Sequence, residues 1–445
     1  MQKENWGTRL GFILAAAGSA IGLGTVWRLP YVAGEQGGGL FFFIFIALLL
    51  TVGTSLLLAE FVLGRSTKEG AIEAYRKVAP KGQWHWIGII GMIAAFLLLS
   101  FYSVVGGWIT TYFVRSFTGN VTSPPDGDHG ALFESITSNP WEVGLAHLAF
   151  MIMTILVVQM GIKKGIEKAS LYMMPALFII FLILMVRSLT LDGAWEGVVY
   201  FLQPDFSAVS SETFLFALGQ AFFSLSLGVS VMVTYSSYLD NKASLPGSAW
   251  SVVLLSVLIA FMAGLAIFPA IYAFGLQPDE GPSLIFVVIP AVFQQLAFGE
   301  AFFMIFMLLM LFATLTSAFS LIEIIVTPFV RGKEHLRKRV TWAVGLLIFA
   351  MGIPSNLSFG LLADFHIFGL TFFDAVDFLV SNILLPLGAL LISLFVAYKM
   401  KPSIMQEELL RGSRFGKGFY FIWLIMIRVV VPLSIIVVFV SQLIQ

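Results

Sequence analysis

The 445-residue chain has no cysteine, only five histidines and few charges, with 11% of its residues Asp, Glu, Lys or Arg. The missing cysteine excludes disulfide frameworks, thiolate metal sites and cysteine nucleophiles. The histidines (His85, His129, His147, His335, His366) are scattered, with no pair at metal-ligand spacing. No His–carboxylate grouping marks an acid–base or nucleophile cluster, so the pattern is not that of an enzyme. Formal net charge is zero, which leaves no basic footprint for nucleic acid and no polybasic surface. Soluble domains are about 25% charged and about 45–50% apolar. This chain is 59% apolar with a mean hydropathy of +0.95. It is therefore read as a membrane protein, with apolar residues for at most about 13 crossings of about 20 residues each.

Apolar runs of crossing length fall at 10–33, 38–63, 88–116, 142–160, 166–186, 213–238, 247–273, 297–329, 338–353, 366–398 and 418–441. Lipid admits only helices and closed barrels, and the alternation of a barrel is missing. The expected fold class is all-α, polytopic, with eleven transmembrane helices. The first run is longer than a signal-peptide core and lacks a small-residue cleavage site, so it is expected to be retained. Nothing in the sequence sets an oligomeric state.

Lysine and arginine orient these spans. One set of loops holds 21 of the 25 basic residues, including Lys3, Arg65, Lys163, Lys164, Arg331, Lys333 and Lys401. The opposite set is acidic, with Asp126, Asp128, Asp192, Glu196, Asp205, Asp279 and Glu280. The positive-inside rule puts the N-terminus in the cytoplasm and, with an odd span count, the C-terminus outside.

Two spans are interrupted by small residues. Span 1 reads Gly18-Ser19-Ala20-Ile21-Gly22-Leu23-Gly24-Thr25, and span 6 reads Phe223-Ser224-Leu225-Ser226-Leu227-Gly228-Val229-Ser230. Glycine inside a helix costs about 1 kcal/mol relative to alanine. One such stretch by itself reads as close helix packing, since small residues line helix–helix contacts in membranes. Two, five spans apart, read as broken helices in matching positions of an inverted repeat, because an odd-numbered unit re-enters the membrane from the other side. The expected units are 1–186 (spans 1–5), 187–398 (spans 6–10), and 399–445 (a cytoplasmic linker and span 11). A break frees N–H groups at one half-helix end, which attract anions, and C=O groups at the other. With Ser/Thr hydroxyls, such carbonyls offer hard oxygens to a small cation. A zwitterion fits between them.

These motifs resemble the neurotransmitter:sodium symporter family over nearly the whole chain. The resemblance rests on Asn5-Trp6-Gly7-Thr8-Arg9-Leu10-Gly11-Phe12, Gly22-Leu23-Gly24-Thr25-Val26-Trp27-Arg28-Leu29-Pro30-Tyr31, and Gln36 before Gly37-Gly38-Gly39. It continues through Ser100-Phe101-Tyr102-Ser103, Ser224-Leu225-Ser226-Leu227-Gly228 and Leu315-Thr316-Ser317. It implies a LeuT-like fold and sodium-coupled symport by alternating access. The eleven-span form resembles bacterial members, which implies the inner membrane of a bacterium.

Carried onto matching positions, the resemblance implies a first sodium site at Ala20, Thr25, Ser224 and Ser256. A second is implied at Gly18, Ile21, Ala313, Thr316 and Ser317. Substrate is implied at Ala20, Gly22, Leu23, Gly24, Leu98, Tyr102, Phe223, Ser224, Ser226, Val229, Ser317 and Leu321. Family carriers of amines have Asp at the Gly22 position, so Gly22 implies a substrate that brings its own carboxylate. The apolar pocket implies neutral hydrophobic side chains, and Val229, where a leucine-type relative has Phe, implies room for aromatic ones such as that of Trp beside Leu. The gates are implied at Arg28 with Asp377 and at Lys3 with Trp6. The family's acidic inner partner falls at Arg331, so inner closure must use other contacts. Gly165 and Pro175 bracket a stretch that unwinds in the family. Phe45 and Ala260 replace a Tyr and a Ser of the chloride region, while Gln220 and Ser256 remain, which implies chloride independence. The alternative to transport is an amino acid sensor on the same scaffold.

Overall fold

The computed structural model describes residues 4–124, 126–206, 210–276 and 284–444. Lys3 and the acidic pair Asp279 and Glu280 lie outside them. The described chain is almost wholly helical. A bent pair, α1 (Arg9–Ala20) and α2 (Gly24–Glu35), is followed by α3 (Gly39–Thr67), α4 (His85–Ser116), α5 (Pro140–Val158) and α6 (Ile162–Leu189). Then come α7 (Ser211–Phe223) and α8 (Val231–Ser237), α9 (Leu245–Ala273), α10 (Gly299–Val330) and α11 (Glu334–Leu357). The chain closes with α12 (Phe372–Lys399), the short α13 (Pro402–Leu410) and α14 (Lys417–Val440).

Among the described residues, nine helices are long and apolar enough to cross a membrane, and the pair α1/α2, bent by 52°, makes a tenth. The eleventh expected crossing, 213–238, is cut into α7 and α8, and α8 has only seven residues. The span expected at 366–398 begins late. Residues His366–Ile367 and Leu370–Thr371 form a two-stranded antiparallel hairpin instead. Its turn has positive φ at Phe368 and Gly369, which no helix accommodates.

Both breaks have local causes. Helix α1 starts at Thr8, whose hydroxyl accepts from the Gly11 N–H at 2.9 Å. It stops at Ala20, and Gly22 accepts from Thr25 N–H and Val26 N–H before α2 begins with a wide, π-type turn. After α7, positive φ at Ser226, Gly228 and Ser230 makes helix impossible until Val231.

The break after α7 is wedged against α12. A methyl on Gly228 would overlap the Leu385 carbonyl oxygen, and one on Gly388 would overlap the Gly228 carbonyl oxygen. Glu60 of α3 supports the break by accepting from the Gly228 N–H at 3.0 Å. At the linker, buried Arg65 bonds the Glu408 carboxylate and the Glu408 carbonyl, each at 2.6 Å, and also donates to the Ala243 carbonyl. Trp423 of α14 donates to the Ser55 carbonyl of α3 at 3.0 Å.

Overpacking of this kind costs about 1–3 kcal/mol. The Gly388→Ala variant is therefore expected to lower the thermal midpoint of the purified protein in detergent, whereas Gly418→Ala, with open space at its Cβ, should not. Equal midpoints would contradict the wedge.

Candidate functional site

The two breaks face each other at the centre of the bundle, and α10 closes the third side. Helix α1 ends with carbonyls that have no helical partner, and hydroxyls of other elements meet them. Thr316 donates to the carbonyls of Gly18 and Ala313 at 3.0 Å. Ser317 donates to the carbonyls of Gly18 at 3.2 Å and Ser19 at 3.0 Å. Four of the five oxygens expected to form the second sodium site are thus gathered in one buried cluster. Ile21, the fifth, lies at the same break, one residue beyond the end of α1.

At the first expected site, Thr25 donates to the Ala20 carbonyl at 3.3 Å. The Ser224 hydroxyl accepts from the Gln220 amide at 3.1 Å, and that amide also reaches the Gly24 carbonyl at 2.5 Å. Ser256 is buried on α9, but its hydroxyl donates to Val252 in its own helix. These oxygens are neutral carbonyls and hydroxyls, a donor set that suits a hard monovalent cation rather than a multiply charged one.

Between the breaks lies a cavity of about 30 Å³ lined by Ala20, Gly22, Leu23, Gly24, Leu98, Tyr102, Phe223, Ser226, Val229, Ser317 and Leu321. Of the residues expected to touch substrate, only Ser224 is not in this wall. Ser19 and Leu385 line it as well and were not foreseen. Ser19 hydrogen-bonds Ser320 at 2.7 Å, and Ser226 donates to the Ser19 carbonyl at 2.7 Å, so hydroxyls stitch the two breaks together. One end of the cavity presents the Leu23 N–H and the Tyr102 hydroxyl, 3.4 Å apart. The hydrocarbon of the wall comes from Leu98, Phe223, Val229, Leu321 and Leu385. A methyl on Gly22 would overlap the Ser317 hydroxyl and stand 2.9 Å from that of Tyr102, so a side chain there would displace the Ser317 hydroxyl and enter the cavity.

Above Phe223 a vestibule of about 190 Å³ opens among Trp27, Arg28, Tyr31, Trp108, Phe359, Phe373, Asp374 and Asp377. Arg28 and Asp377 share this vestibule, but no ion pair within 4 Å joins them. The Arg28 guanidinium lies over the Phe223 ring, 5.2 Å from its centroid, and Asp377 accepts from Ser381 at 2.7 Å. The expected outer gate is apart in this conformation.

The opposite side is sealed. Trp6 donates its indole N–H to the Tyr235 carbonyl at 2.9 Å and its backbone N–H to the Tyr238 carbonyl at 3.2 Å. Arg331 pairs with Glu69 at 3.0 Å, so the repulsion expected between Lys3 and Arg331 is relieved on the Arg331 side. The acid–base contact has moved to Arg337, which meets Glu4 at 3.1 Å and also binds Glu323. Glu167 accepts from the Gly7 N–H at 2.6 Å, the Thr8 N–H at 3.0 Å and the Thr8 hydroxyl at 2.9 Å. It ties the N-terminal segment to the start of α6. The stretch between Gly165 and Pro175 is wound, as a wide turn over Ile162–Glu167 and α-helix beyond. Glu4, Arg337 and Glu167 were missed because acids and bases at span ends read as loop charge. The one available signal was Glu167, an isolated acid among Lys163, Lys164 and Lys168.

A family model described as the sodium:neurotransmitter symporter family matches residues 3–124 and 132–445. The chain is 53% identical over 436 residues to the uncharacterized sodium-dependent transporter YhdH of Bacillus subtilis (strain 168), covering 98% of this chain and 97% of that one. It is 36% identical to an uncharacterized sodium-dependent transporter of Haemophilus influenzae, covering 99% and 98%. Among solved structures it is similar to MhsT in complex with L-phenylalanine, with 41% identity and a TM-score of 0.91 over 99% of this chain and 100% of that one.

Burial raises the Glu4 carboxyl pKa above its ordinary 4.5, with Arg337 pulling the other way. A group that holds its proton more tightly in the sealed form favours that form as pH falls toward its raised pKa, and the preference is lost above it. A thiol at Ser237, buried beside Glu4, reads the seal in this cysteine-free chain. Its N-ethylmaleimide labelling rate, relative to the same reporter with Glu4→Gln, should exceed one at neutral pH and fall toward one as the pH is lowered. A ratio that does not change with pH would remove Glu4 from the seal.

Proposed function

The chain belongs to the sodium:neurotransmitter symporter family and is a sodium-dependent transporter rather than an enzyme, and from that premise we propose that it carries neutral hydrophobic L-amino acids, aliphatic and aromatic, together with two sodium ions. The observation that carries this reading is the cavity between the two breaks, whose wall combines main-chain and hydroxyl groups (Leu23, Gly24, Tyr102, Ser226) with hydrocarbon (Leu98, Val229, Leu321). The substrate carboxylate meets the N–H groups of Leu23 and Gly24 and the Tyr102 hydroxyl. The ammonium meets the carbonyls of Ala20, Phe223 and Ser224 and the Ser226 hydroxyl. The side chain lies among Leu98, Val229 and Leu321 with Phe223 above. Bound L-phenylalanine in MhsT supports this class. The closeness of Gly22 to Ser317 and Tyr102 supports a ligand that supplies its own anion, because an acidic side chain there would displace the Ser317 hydroxyl and enter the cavity.

The clustered oxygens of Gly18, Ala313, Thr316 and Ser317 hold one sodium ion, and those of Ala20, Thr25 and Ser224 hold the other with the substrate carboxylate. Sodium entering down 100 mV contributes about 2.3 kcal/mol per ion, and a tenfold gradient about 1.4. Two ions together supply about 7 kcal/mol, enough to concentrate a neutral solute about five decades at the limit. The open vestibule and sealed Trp6 side support an outward-facing state. Closure brings Arg28 to Asp377 over Phe223, and release inward needs Trp6 to leave Tyr235 and the 165–175 stretch to unwind. Spans 1–5 and 6–10 act as inverted repeats in a bacterial inner membrane, N-terminus inside. Chloride is not required. Its region is supported by Phe45 and Ala260, and the Gln220 amide is already engaged by Gly24 and Ser224.

Proteoliposomes with an inward sodium gradient should accumulate leucine and tryptophan, independent of chloride, with other hydrophobic amino acids competing. The Thr316→Ala variant should raise the sodium concentration for half-maximal uptake about tenfold, equivalent to about 1.4 kcal/mol. Binding without accumulation would make the chain a sensor, and uptake indifferent to sodium and to Thr316→Ala would overturn the cation sites.

A further inference from the structure

Behind the substrate cavity is a second one of about 100 Å³, between the outer half of α7, α12 and α14. Leu385 lines both cavities. We infer that Leu385 is the partition that limits the length of the substrate side chain, and that the cavity behind it is a latent subsite for an aryl extension. The inference rests on the amino acid reading above.

Three observations carry it. The main chain at Leu385 is closely packed, since the Gly228 backbone lies against both the Leu385 carbonyl and Gly388, with no room for a Cβ on either glycine. Truncating the side chain therefore joins the cavities instead of letting α12 move in. The far cavity has unfilled room, because a Cβ built on Gly219 has no atom within 4 Å. Its wall mixes hydrocarbon (Leu215, Phe216, Phe222, Ile435) with the polar Arg28, Ser381, Asn382 and Gln220, and the Gln220 Oε1 is buried without a hydrogen-bond partner. An aromatic ring whose edge C–H groups face that oxygen suits such a wall. Phe223 also borders both cavities, but it carries Arg28 on its face and belongs to the moving gate. Leu385 is the stationary wall.

The test is competition by 4-phenyl-L-phenylalanine against labelled leucine uptake in proteoliposomes, referred to competition by L-phenylalanine. In Leu385→Ala the biphenyl compound should gain about tenfold or more relative to phenylalanine, the scale on which one methylene changes selectivity in an apolar pocket. Adding Gly219→Leu, which places a side chain at a cavity-lining position whose Cβ meets no atom within 4 Å, should abolish the gain. Gly219→Leu alone should leave leucine uptake as it is. If Leu385→Ala does not fold, Leu385→Val should give a smaller gain and Leu385→Phe a loss for phenylalanine itself. An unchanged ratio in the truncated variants, or a gain that survives Gly219→Leu, overturns the inference while leaving wild-type leucine uptake intact. No sodium-driven wild-type uptake of any amino acid would overturn the amino acid reading and this inference with it.

Discussion

Main chain inside a bilayer has no water to bond, so every N–H and C=O must find a partner within the protein. Everything central in this fold follows from breaking that rule in two places and repairing it with side chains. The carbonyls that α1 leaves open at Gly18, Ser19 and Ala20 receive hydroxyls from Thr316, Ser317, Ser226 and Thr25. The N–H of Gly228 is met by Glu60. Each net hydrogen bond is worth about 1 kcal/mol, but an unmade one costs more, so the repair is obligatory. The same oxygens and amides that satisfy one another in this conformation are those a cation and a zwitterion would use. The site is a set of exchangeable partners.

The two faces of the molecule are closed by different physics. On the vestibule side aromatic rings and two separated charges leave room for water. On the other side an indole, a carboxylate clasp and an acid–arginine–acid chain form a dense seal on the first residues. Arg337 and Glu323 are deeply buried, and such a pair costs about 3–5 kcal/mol to break by removing one member, whereas Glu4 at the edge of the chain of charges stays partly exposed.

Most of the architecture was legible in the sequence because its signal is hydropathy, which depends on composition over about twenty residues. The breaks were legible because glycine and serine in mid-span have few other uses, and the family resemblance carried onto them implied nearly every cavity residue between 18 and 25. What failed had local causes. The start of α12 was misplaced because His366–Thr371 is apolar enough to read as span, while its turn needs positive φ at Phe368 and Gly369. Leu385 was missed because a leucine in an apolar helix carries no mark of which neighbour it faces. The Glu4–Arg337 contact joins residues more than three hundred positions apart, and no spacing rule reaches that far.

The Arg65 cluster has a consequence for the periphery. Arg65 bolts α13 to the end of α3 and to the turn after α8, and Trp423 pins α14 to α3. Helix α14 is thus a passenger coupled to α3, and any swing of α3 must drag the last crossing through the surrounding acyl chains. Membrane viscosity and thickness would then resist such a displacement, through a helix held to α3 by the Trp423 indole N–H and to α13 by the linker.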